Sequence, residues 1–322
     1  MLTERAGSKW RSTICMAAVF LVLLGSGRVR ADSSDAAQSA ATRELARAFL
    51  KQLFVDQDSF GAYRRFAAPD FVQHNPEMAN GIAGREAFFT NRARQAGGHG
   101  GKMVNVYNLV LVDRDLFAIH HHAFTGPQEP GRVFVDIWRV AQGRIVEHWD
   151  VIQPYPSLMM HANGMACGRG ESFEDALKVD SSPAATTCAA PDPHASREAS
   201  IKVIDDYTAA VRAGDIRAAV TRWFTPDYRQ HSPNIADGAE GAIRYLEGEY
   251  GKAVRQTPRA VSRTRIVAEG DYVLMHRQVV YPGSARVSTN VDIFRVRDAR
   301  VSEHWDVKQL VPETSANANG MW

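Results

Sequence analysis

The sequence predicts an α+β fold built twice: two cone-shaped α+β barrels, each a set of helices packed on a curved antiparallel sheet, in tandem. Three observations carry this. E-H-W-D-V at 147–151 recurs at 303–307. Each copy opens on segments with apolar residues at helical spacing. Each then runs through four segments rich in Val, Ile, Phe and Trp, bounded by Gly, Pro and Asp. Helices followed by an antiparallel meander form an α+β layer. A curved sheet closed on one side by helices leaves one open mouth, where ligand pockets tend to lie.

The repeat is long. V-D-I-W-R-V (135–140) answers V-D-I-F-R-V (291–296), and A-N-G-M (162–165) answers A-N-G-M (318–321), both 156 residues on. P-D-F-V-Q-H-N-P (69–76) answers P-D-Y-R-Q-H-S-P (226–233) at 157, and D-L-F-A-I-H (115–120) answers D-Y-V-L-M-H (271–276). Such ordered matches mean duplication of a whole domain, not a solenoid unit. The expected organisation is a signal peptide over 1–31, a first domain over 32–166, a linker over 167–196 and a second domain over 197–322. The linker holds S-S-P-A-A-T-T and P-D-P.

The first 31 residues read as a secretory signal. Arg5, Lys9 and Arg11 form a positive start, Met16–Leu24 a short apolar run, and Val29-Arg30-Ala31 a cleavage site after Ala31. The run is too short to span ~30 Å of hydrocarbon. The expectation is a secreted or periplasmic protein, not membrane-embedded once the signal is removed. This segment carries five basic residues and one acid, a net +4, so the chain's +2 becomes −2 without it. Nothing there supports nucleic-acid binding. Cys15 leaves with the signal; Cys167 and Cys188 remain, an even pair that reads as a disulfide in an exported protein.

Thr42–Leu53 and Ser200–Ala213 read as first helices, 58–66 and 215–224 as second, and 84–94 and 241–250 as third. A Pro-Asp turn and the Gln-His segment lie between the second and third. Strands are expected over 104–112, 116–125, 133–140 and 145–153 in the first copy. The Gly97–Gly101 run, interrupted by His99, reads as a loop and not a phosphate cradle.

Histidines and aspartates recur in both copies: His74/His231, His120/His276, His148/His304, Asp136/Asp292 and Asp150/Asp306. His148 and Asp150 are two apart on a strand, as are His304 and Asp306, so each pair shares a face. A histidine and a carboxylate on one concave face can move a proton to and from a carbon acid. Whether Asp136 joins Asp150 depends on the hairpin near Gln142-Gly143. A two-residue loop puts Asp136 opposite Trp149; a three-residue loop reverses that. His74 can equally hold the turn before Pro76, and Trp149 and Trp305 fit a core or interface as well as a substrate surface. Glu147 and Glu303 share the Trp face. His120–His122 invites a metal, but the second copy keeps only His276, so neither metal nor cofactor is expected.

Q-H-N-P, the strand D-I-W-R, the turn G-R-I and V-E-H-W-D-V together resemble SnoaL-like domains of the nuclear transport factor 2-like superfamily, over nearly all of 42–165 and 198–322. The resemblance implies a cone-shaped α+β barrel that pairs through its sheet face. It also implies metal-free acid–base chemistry in an apolar pocket, as in polyketide cyclases, steroid isomerases, dehydratases and epoxide hydrolases. The cyclase acid/base aspartate on the last strand is matched by Asp150 and Asp306. The cyclase histidine on the preceding strand is replaced by Asp136 and Asp292.

These readings lead to a metal-free acid–base enzyme on a small apolar carbonyl compound. Asp150 and Asp306 would be acid/base, supported by His148, His304, Asp136 and Asp292. His74, His231, His120, His276, Trp149 and Trp305 would contact substrate. A binding module for a small hydrophobic ligand and a purely structural pair stand as alternatives. In each case the two copies are expected to pack as an intramolecular pseudo-dimer, because a short tether raises their effective concentration.

Overall fold

The computed structural model describes residues 26–95, 103–168, 170–180, 182–257, 261–280 and 286–322. Most of the expected signal segment, and the Gly97–Gly101 run with His99, lie outside the described residues.

The first repeat runs α1 (Ser26–Leu50), a π-helical turn (Lys51–Val55), α2 (Ser59–Phe66), β1 (Ala67–Gln73), α3 (Gly81–Gln95), β2 (Val104–Asp113), β3 (Leu116–Phe124), β4 (Arg132–Ala141) and β5 (Arg144–Pro154). A short α4 (Phe173–Ala176) lies in the linker. The second repeat runs α5 (Arg197–Ala213), α6 (Ile216–Trp223), β6 (Phe224–Gln230), α7 (Gly238–Glu247), α8 (Glu249–Gln256), β7 (Val261–Glu269), β8 (Tyr272–Val280), β9 (Val287–Arg297) and β10 (Arg300–Leu310). Helix starts are fixed by side-chain caps: Asp58 accepts from Gly61 N, Ser196 from Ala199 N and Asp215 from Ala218 N, each contributing about 1 kcal/mol.

The class is α+β, as expected, with two corrections. Each sheet is open, in the orders β1-β5-β4-β3-β2 and β6-β10-β9-β8-β7, so neither closes into a barrel. Neither is wholly antiparallel, because β1 pairs parallel with β5 and β6 with β10. The Pro-Asp pattern predicts turns here, and the structure has strands. Pro69 and Pro226 interrupt their pattern, and proline is tolerated there because both strands lie at a sheet edge.

The hairpin resolves the face of Asp136. Its loop is the two residues Gln142 and Gly143, both at positive φ. Yet Ile145 pairs with Val140 and Glu147 with Arg139, leaving Val146 as a bulge. The extra residue shifts the register by one, so Asp136 stands directly opposite Asp150. Ser302 is the corresponding bulge in the second repeat, and Asp292 stands opposite Asp306.

The inner face of each sheet meets the helices. In the first repeat Phe117, Ile119 and Trp138 pack against Phe49, Leu50 and Tyr63; in the second, Val273, Met275 and Phe294 pack against Ile204, Val220 and Ile243. The outer faces pack back to back into one shared core. Leu109, Val135, Trp149 and Val151 meet Val267, Val291, Trp305 and Val307, at about 1.5–3 kcal/mol for each large side chain buried. Reciprocal bonds give this seam a pseudo-twofold. Ile152 N donates to Gln309 Oε1 and Lys308 N to Gln153 Oε1. Val112 N donates to Glu269 Oε2 and Ala268 N to Asp113 Oδ2.

The linker is packed rather than free. Cys167 and Cys188 form a disulfide. Thr187 N and Cys188 N donate to the carbonyls of Tyr107 and Asn108 on β2, and Cys188 enters the shared core. Among the described residues no helix is long and apolar enough to cross a membrane.

Candidate functional site

Asp136, His148 and Asp150 converge on the inner face of the first sheet, and Asp292, His304 and Asp306 on that of the second. In each trio one donor atom per residue lies within 4.8 Å of the others, and all six residues are buried. Each trio could hold a metal ion. The expectation of none was drawn from His120–His122, whereas the donors gather here.

A glutamine orients each histidine. Gln73 Oε1 accepts the backbone N–H of Asn75 at 2.8 Å, which identifies it as the oxygen. His148 Nδ1, 3.0 Å from it, must therefore donate. His148 Nε2 then faces Asp136 Oδ1 at 3.0 Å. In the second repeat Gln230 Oε1 accepts from His231 N and Ser232 N, His304 Nδ1 lies 3.0 Å from it, and Nε2 lies 3.1 Å from Asp292 Oδ1. In both repeats the glutamine therefore turns the Nε2 atom of the ring toward a carboxylate oxygen.

The trios differ in their surroundings. In the first repeat His121 Nε2 also meets Asp136, at 2.9 Å. Burial pushes the Asp136 pKa up, but the hydrogen bonds from His121 and His148 outweigh it and hold it at about 2. Asp150 has less of such help. Burial raises its pKa to about 6 against the pull of His148 and Asn75, and the charge on Asp136 adds to the rise. Asp150 Oδ2 accepts from Asn75 Nδ2 at 2.6 Å, while Oδ1 is buried without a hydrogen-bond partner.

In the second repeat each aspartate faces a cation. Arg277 pairs with Asp292, and Lys308 Nζ lies 2.7 Å from Asp306 Oδ2. Burial works against ionisation of Asp292, but Arg277 and His304 hold its pKa well below the usual range. Burial likewise opposes the charge on Lys308, and Asp306 more than restores it. A cavity of about 550 Å³ opens over this trio. Its walls include Tyr207, Val211, Tyr228, Leu246, Met275 and Asn290.

By the repeat offset, the first copy has Phe54 for Val211, Phe134 for Asn290, His121 for Arg277 and Ile152 for Lys308. His121 stacks on Phe134 at 4.8 Å and packs against Phe54 at 5.3 Å. Rings fill space that the second repeat leaves open.

The other candidate residues lie on the outer face, away from this cavity. His74 stacks on Trp149 and His231 on Trp305, at centroid distances of 4.8 and 4.5 Å. Each is held by the tail of the other repeat: His74 Nδ1 meets the Gly320 carbonyl at 2.7 Å, and His231 Nδ1 the Gly164 carbonyl at 3.1 Å. Their Nε2 atoms meet Glu147 and Glu303. The repeated A-N-G-M is thus an exchanged clasp, with Gly164 and Gly320 at φ +71° and +73°, a conformation that favours glycine. His120 and His276 are sealed between the sheets, where burial drives the pKa of each down to about 3. Arg265 lies 3.6 Å over the Trp149 ring and bonds His276.

Sequence reasoning missed Arg277, Lys308, Asn290 and Tyr228 as cavity residues, because it searched for what the copies share. Their signal is the opposite: polar residues in one copy at positions that are mostly apolar or aromatic in the other.

The SnoaL-like domain family matches residues 46–148 and 204–304. No protein of curated function matches significantly. Among solved structures, an NTF-2 like protein of unknown function from Burkholderia xenovorans is 18% identical, covering 36% of this chain and 88% of its own, with a TM-score of 0.29. TsrD from Streptomyces laurentii is 24% identical, covering 35% and 90%, with a TM-score of 0.28. An LEH-like epoxide hydrolase of M. tuberculosis is 18% identical, covering 35% and 84%, with a TM-score of 0.28.

Proposed function

The chain belongs to the SnoaL-like domain family through both repeats, and on that premise we propose that the second repeat is an acid–base site for a small, largely apolar carbonyl compound. The observation that carries this reading is the cavity of about 550 Å³ with Asp292, His304 and Asp306 in its lining. Asp306 Oδ1 is buried without a hydrogen-bond partner, so a lone pair is free to take a proton from the carbon beside a carbonyl. Tyr228 OH accepts from Gln230 Nε2 at 2.8 Å, which leaves its own proton for the carbonyl oxygen. Burial holds that phenol protonated. The enolate formed by proton transfer to Asp306 is stabilised by the Tyr228 hydrogen bond. It then regains that proton at another carbon, attacks a second carbonyl in the same molecule while the Asp306 proton passes to the new alkoxide, or expels a β-hydroxyl that takes the Asp306 proton and leaves as water. Arg277 and Lys308 already supply countercharge, so this trio needs no metal for that purpose.

We also infer export. The expected signal over 1–31 and the Cys167–Cys188 disulfide support an oxidising compartment. Domain limits at 32–166 and 197–322, with 167–196 as linker, belong to the same reading.

A non-catalytic ligand-binding site is the second reading. It is favoured by the pairing of both aspartates with cations, which stabilises a cavity without proton transfer. Incorporation of solvent deuterium beside the carbonyl of cyclic and aromatic ketones, followed by NMR, separates the two. The proposal expects incorporation; compounds that bind the cavity and never exchange would overturn it.

A further inference from the structure

We propose that the first repeat holds a divalent transition-metal ion of the zinc class between Asp136, His148 and Asp150. This site is separate from the second-repeat cavity and independent of its chemistry.

The two repeats place the same trio at the same register but balance its charge differently. In the second, a guanidinium and an ammonium are built in: Arg277 on Asp292 and Lys308 on Asp306. In the first, those positions are His121 and Ile152. No lysine or arginine ion pair is described for Asp136 or Asp150. Two buried carboxylates therefore stand in direct cross-strand register, hydrogen-bonded by His121, His148 and Asn75, while the buried Arg85 guanidinium acts on Asp136 through its charge and bonds Ser59 instead. Buried carboxylates are paired with a cation or coordinate one.

The donors suit the ion. One imidazole nitrogen and two carboxylates, with an atom from each inside 4.8 Å, form a set that zinc and its neighbours accept. His148 is prepared as such ligands are: Nδ1–H donates to Gln73 Oε1, which turns Nε2 toward the carboxylates. Asp136 Oδ2 is held by His121 Nε2 and Asp150 Oδ2 by Asn75 Nδ2. Asp150 Oδ1 remains buried and unpartnered. The ion would sit between the Nε2 atom and the carboxylates, with any proton on Nε2 released to solvent.

The test is zinc titration of chelator-treated full-length protein by calorimetry, with cobalt absorption as a second readout. One ion per chain is expected. Affinity is expected to fall at least about tenfold in Asp150→Asn and in Ile152→Lys, which supplies the ammonium found in the second repeat. His194→Ala, at an exposed site, is expected to change nothing. Circular dichroism checks that each variant is folded, and the conservative Asp150→Asn carries the test where Ile152→Lys does not fold. Absence of binding by wild type, or equal binding by folded Asp150→Asn, would overturn the proposal and leave adventitious surface binding only.

Discussion

Lys308 reaches back along its own strand to place Nζ 2.7 Å from Asp306 Oδ2, where the first repeat has the apolar Ile152 beyond Asp150. Lys308→Met is expected to leave Asp306 without its countercharge and to destabilise the protein by about 2–3 kcal/mol, below the fully buried case because the side chain is 24% exposed. Adding Asp306→Asn is expected to recover most of that loss. Urea unfolding of the two single variants and the double variant measures it; additive losses would mean that the pair is not coupled.

The buried histidines give acid sensitivity. His120 and His276 are held neutral down to about pH 3, against ~6.5 in the unfolded chain. Within that window the unfolded chain binds protons that the folded chain does not. Stability is therefore complete above about pH 6.5 and is lost as pH falls toward 3. Each ring contributes a slope of about 1.4 kcal/mol per pH unit. His120→Gln is expected to remove one such slope in unfolding curves between about pH 4 and 6; an unchanged slope would contradict a neutral buried ring.

Much of this architecture was legible in the sequence. E-H-W-D-V and A-N-G-M mark the duplication, and helical spacing marks the helices. The edge strands were not legible, because Pro69 and Pro226 read as turn residues. Nor was the face of Asp136 legible: Val146 and Ser302 are ordinary strand residues, and a bulge without glycine leaves no trace in composition. The outer-face location of His74 and His231 was equally hidden, since it depends on a tail more than 240 residues away in the first case.

That tail exchange has a measurable energy. Asn319 Nδ2 donates to the Gln73 carbonyl at 2.8 Å, and Asn163 Nδ2 to the Gln230 carbonyl at 2.9 Å. Asn319→Ala and Asn163→Ala are each expected to cost about 1–2 kcal/mol in chemical denaturation. Loss in only one of them would mean that the clasp is not reciprocal.

The disulfide closes a loop with a sequence separation of 21, for which loop entropy gives about 3 kcal/mol. Cys167→Ser is expected to lower stability by that order in calorimetry, and reduction of wild type to do the same. An unchanged melting temperature would show that the packed linker holds without the bond.

The most direct test of the central claim is the rate of α-deuterium incorporation into a cavity-binding ketone, compared between wild type and Asp306→Asn at equal ligand occupancy. Acid–base chemistry in the second repeat predicts a loss of at least about a hundredfold in the variant with binding retained. Equal rates in the two proteins would contradict it.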